Sequence, residues 1–245
     1  MRQIEDILGF RSDFSPFLTH LTRTVDDRSA KENLLNILDQ GALKAGKTTH
    51  SGSYGAPYYE LGDEALRRFF SAVSFTETPL NEIHCFLEIQ GRKINLEQYG
   101  LVFLRDRLEA DGVSPVLYLN NKLDDKTSVI RGLCKLIETD AETAEQILPL
   151  ISFFGAKISP LISDSPQKGE IDFRWEREWR YPASRGDFKF SPDDVFVGLC
   201  PHDEIKDFEM IYPGVSFVDP MRNIKWYATK LVAARQRMDI KCSVV

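Results

Sequence analysis

The sequence predicts an α+β fold, with a mainly antiparallel, bent sheet and a helical insertion at about residues 121–155. Three observations lead there. Short apolar runs of strand character alternate irregularly with segments of helical periodicity, without a βαβ rhythm. No internal repeat is present. The 245 residues are 42% hydrophobic, enough for a sizeable core, and no composition break is strong enough to divide residues 1–245 into two domains.

Taken in order, residues 17–22 read as a first strand. Ser29 with Glu32 three residues later is a capping box, and it opens a helix whose apolar positions are Leu34, Leu35, Ile37 and Leu38. Gly41 is a natural stop. A loop rich in Gly, Ser and Tyr occupies residues 50–59, followed by a short helix near residues 64–70 and a strand at 72–76. Thr78 and Pro79 are placed to cap the next helix. Residues 99–104 and 115–119 are apolar strands. Asp124 or Asp125 starts a helix with Leu133, Leu136 and Ile137 on one face, and Thr139 with Glu142 boxes a second that ends by Gly155. After a polar stretch at 163–169 come strands at 175–180, 195–200 and 215–218, a helix after His202 and a C-terminal helix over about 223–235.

The longest apolar runs fall short of the ~20 residues of a membrane helix and the first residues lack a signal-peptide layout, so no membrane partner and a cytoplasmic location are expected. Cys85, Cys134, Cys200 and Cys242 form no C-x-x-C pair, which points to reduced thiols and no zinc knuckle. A net charge of −6 argues against a surface basic throughout, although residues 222–241 hold six Lys and Arg against Asp239 alone.

If residues 175–180 form a strand, alternation places Glu176, Glu178 and Arg180 on one face and Trp175, Arg177 and Trp179 on the other. Two carboxylates so placed in a cleft repel each other, which raises one proton affinity and suits acid or base work. A solvated strand face with its charges paired to Arg174, Arg177 or Arg180 is the plain alternative. His20 and Thr22 share a face of the first strand, and imidazole with hydroxyl suits the sugar hydroxyls of a nucleotide. A histidine serving only the strand's own structure is the alternative there. Ser74, Phe75 and Thr76 end a strand, with the two hydroxyls together and the ring opposite; helix capping by Thr76 or Thr78 is the competing role.

This order, a His strand, a hydroxyl-aromatic strand and an E-x-E strand, resembles the ADP-ribosyltransferase superfamily with its split NAD-binding sheet. Residues 20–43 look like the opening of DarT-like DNA ADP-ribosyltransferases. Residues 72–80, 99–103 and 175–180 look like the AbiGi family of bacterial abortive phage-infection proteins. The resemblance implies an NAD-dependent transferase toxin of phage defence, restrained by a neutralising antitoxin partner and passing ADP-ribose to a nucleic-acid or protein acceptor. It implies Glu178 as catalytic carboxylate, Glu176 as accessory, and His20 and Thr22 on the NAD ribose. Ser74, Phe75 and Thr76 would line the NAD site; an aromatic among Tyr54, Tyr58, Tyr59 and Phe75 would stack on nicotinamide, and Arg23, Arg28 or Arg180 would hold the pyrophosphate. No metal is required. The alternatives are a catalytically silent antitoxin or partner-binding protein of an abortive-infection system, and an NAD glycohydrolase.

Overall fold

A computed structural model describes residues 14–25, 27–45, 68–89, 95–120, 128–154 and 173–240. Strand β1 (Phe17–Leu21) leads to helix α1 (Ala30–Gln40) and β2 (Ala42–Leu43). The Ser29 hydroxyl accepts the Glu32 amide while the Glu32 carboxylate accepts the Ser29 amide, so the expected capping box forms. Such a cap contributes about 1 kcal/mol. Gly41 ends the helix in the left-handed region, at φ 57°, where a side chain would be strained.

Next come β3 (Ala72–Thr76), a short helix α2 (His84–Leu87), β4 (Gly100–Leu104), α3 (Arg105–Ala110), β5 (Ser114–Pro115) and β6 (Leu117–Asn120). Helices α4 (Ser128–Thr139) and α5 (Ala141–Ile147) precede β7 (Ile151–Phe154), then follow β8 (Glu178–Pro182), β9 (Phe188–Lys189) and β10 (Val195–Leu199). Helix α6 (Ile205–Ile211), β11 (Phe217–Val218) and α7 (Ala228–Arg237) close the described chain.

The main sheet has seven strands in the order β11-β10-β4-β1-β3-β8-β5. Its pairings are antiparallel apart from β10 with β11. The expected mixed fold with a mainly antiparallel sheet is therefore present. The finer expectation of a transferase-type split sheet is matched by no solved structure. Two small sheets accompany it, β2 with β9 antiparallel and β6 with β7 parallel. The insertion is thus helical through α4 and α5 but ends in a strand that pairs back on β6.

The main core is built on the sheet, with Leu18, Leu34, Phe75, Leu101, Phe103, Trp179 and Phe217 among its buried members. Side chains of this size each contribute about 1.5–3 kcal/mol when buried. Phe69, Phe70, Ala144, Leu148 and Ile151 form a second, smaller cluster beneath the insertion. Gly100, opposite Leu21 in β1, has no room for more: a Cβ there would lie 2.4 Å from the His20 carbonyl oxygen.

One expected cap is replaced. Thr139 is the last residue of α4, and its hydroxyl donates to the Lys135 carbonyl at 2.9 Å. Asp140 caps α5 instead, accepting the Thr143 amide at 3.1 Å. The shorter Asx side chain next to the first helical residue reaches an orphan amide that a residue inside α4 cannot.

Candidate functional site

The segment expected to form one strand over 175–180 is broken in two. Phe173–Glu176 is a 3-10 turn, Arg177 sits at φ 45°, and β8 begins only at Glu178. A residue with a Cβ in the left-handed region interrupts the extended chain. The turn is held by the Thr76 hydroxyl, which donates to the Glu176 carbonyl at 2.6 Å, and by the Glu77 amide, which donates to the Arg177 carbonyl at 3.0 Å. The Trp175 ring packs tilted against Phe86, with centroids 4.8 Å apart, and is 38% exposed, whereas Trp179 is buried in the core. Glu176 and Glu178 therefore do not share a strand face, and of the two tryptophans only Trp179 faces inward as expected.

Register then separates the other expected partners. Thr19 pairs with Thr76 and Thr76 with Glu178, so these three point to one side of the sheet; Phe75 pairs with Trp179 on the other side. His20, next to Thr19, belongs with Phe75, and their rings meet edge to face at 5.8 Å. His20 and Glu178 thus stand on opposite faces and line no common cleft.

Each of these side chains has a structural occupation. His20 Nδ1 donates to the Ser74 carbonyl at 2.8 Å. Burial holds its pKa below the usual histidine value, with the Ser74 bond opposing. The Thr22 hydroxyl lies 3.0 Å from the Ala30 carbonyl and 3.1 Å from that of Tyr99, joining the end of β1 to the start of α1. Thr76 Oγ1 also accepts the Thr78 amide at 3.0 Å, so Thr78 does not cap the following helix. Phe75 packs against Phe103 and Phe188. Tyr54, Tyr58 and Tyr59 lie outside the described residues, as does the polar stretch at 163–169.

Glu178 is gripped by Arg180, two residues along the same face: Nε donates to Oε1 at 2.9 Å and Nη2 to Oε2 at 2.7 Å. The two side chains are 14% and 9% exposed. The same guanidinium donates to the Pro149 carbonyl at 2.8 Å and the Ile151 carbonyl at 3.2 Å. Tyr118 accepts the Glu178 amide at 3.1 Å, and its phenol is pushed above its usual range by burial, with the Glu178 and Glu176 charges adding to the shift. A fork-to-fork pair of this kind holds geometry well.

Beside the 3-10 turn lies a second charged group that sequence reasoning did not single out. The buried Glu77 carboxylate meets Arg105 Nη1 at 3.3 Å, Arg177 Nη2 at 3.2 Å and the Trp179 indole nitrogen at 3.4 Å. Next to it is a depression of about 220 Å³ lined by Thr78, Pro79, Glu82, Phe86, Trp175 and Arg177, with Cys85 at its edge. Pockets for whole small ligands run from about 300 Å³ upward. The sequence signal for Glu77 was its place at the end of an apolar strand, which periodicity alone cannot distinguish from a helix cap. Among the described residues no cluster of three or more His, Cys, Asp or Glu is arranged to hold a metal ion.

A family model described as putative abortive phage resistance protein AbiGi, antitoxin, matches residues 62–194. The chain belongs to this family. The matched residues span β3 to the turn before β10, and so include Glu77, the depression and the Glu178–Arg180 pair. They also include the three stretches that carried the AbiGi resemblance. The DarT-like stretch at residues 20–43 lies outside them, and no finding supports it. No curated protein and no solved structure matches the chain.

Membership corrects the functional expectation. The AbiGi family is described as the antitoxin of an abortive phage-resistance system, which overturns the reading of this chain as a transferase toxin. Abortive infection and the toxin–antitoxin setting stand; NAD and a nucleic-acid acceptor find no support in that description. No helix among the described residues is long and apolar enough to cross a membrane.

Proposed function

We propose that this AbiGi-family chain is the antitoxin of an abortive phage-resistance pair, and that it acts by binding a partner toxin. The observation that carries this is the family match across 62–194. The geometry agrees with binding rather than turnover. The carboxylate expected to do chemistry is chelated by Arg180, and the histidine expected beside it faces the other side of the sheet. Both are parts of the scaffold.

The test uses the chain with the product of a neighbouring gene that arrests growth when expressed alone. Co-expression of this chain should relieve the arrest, and the two purified proteins should co-elute as a complex of fixed stoichiometry. If instead this chain alone arrests growth, and Glu178→Gln relieves that arrest, the antitoxin reading falls.

A further inference from the structure

We draw no further inference here: the strongest candidate, the depression beside the 3-10 turn with the exposed Cys85 thiol 3.7 Å from His84 Nε2 at its edge, carries nothing, because nothing in the structure shows what fills it and a single exposed thiol beside a neighbouring imidazole does not name a ligand.

Discussion

Arg180 clasps the Glu178 carboxylate with two nitrogens and, with a third, donates 2.8 Å to the Pro149 carbonyl, so one guanidinium joins β8 to the end of the helical insertion. Both charges are largely removed from water, and deleting Glu178 takes two charge-assisted bonds from the Arg180 guanidinium. Glu178→Ala should therefore lower unfolding free energy by about 3 kcal/mol, read from urea denaturation, with Glu178→Gln costing less because one acceptor oxygen remains. Toxin neutralisation should persist in Glu178→Gln below its melting temperature. An unchanged urea midpoint in Glu178→Ala would show that the clasp does not hold the fold.

His20 makes stability depend on pH. Burial lowers its folded-state pKa below the usual 6.5, so the unfolded chain takes up the proton first as pH falls. The stability due to the neutral imidazole is complete above about 6.5, drains as pH drops below it, and stops changing once the folded-state pKa is passed. His20→Gln should flatten unfolding free energy between about pH 7 and the onset of carboxylate titration. Parallel slopes for the two proteins would count against the assignment.

The two thiols with described surroundings differ sharply. Cys85 is exposed at the edge of the depression; Cys200 is buried, and burial first, then the charges of Glu204 and Asp219, push its thiol up to about 12. Brief alkylation of the folded protein at neutral pH should modify the Cys85 peptide and spare that of Cys200, because the thiolate is the reacting form. Peptide mass mapping checks this, and equal labelling would contradict the burial of Cys200.

Asp239 occupies the left-handed position after α7, at φ 52°. Its amide donates to the Gln236 carbonyl and that of Ile240 to Arg235, the paired bonds that usually surround a glycine. Asp239→Gly removes the strain and also a negative charge from a helix C-terminus. A gain of roughly 1 kcal/mol, or about 2–4 °C in Tm, is expected by calorimetry.

Local rules were readable where a few adjacent residues decide the outcome. Ser29 with Glu32, the stop at Gly41, the apolar strands and the inward Trp179 all follow from side chains acting within a turn or along one strand. The family could also be read, from short stretches in fixed order, because such an order survives without knowledge of how they pair.

The E-x-E strand failed because its fate depends on residues about 100 positions away. The Thr76 hydroxyl and the Glu77 amide hold the 3-10 turn, and Phe86 draws Trp175 off the sheet. Strand β1 ends at Leu21, before Thr22, and only the register Thr19–Thr76–Glu178 decides that His20 and Glu178 look in opposite directions. Likewise Trp226 and Tyr227 are equivalent in sequence, and the 3-10 turn Ile224–Tyr227 before α7 buries Tyr227 and leaves Trp226 75% exposed. A sequence determines which faces a segment has; long-range pairing determines what each face meets, since a shift of a single residue exchanges them.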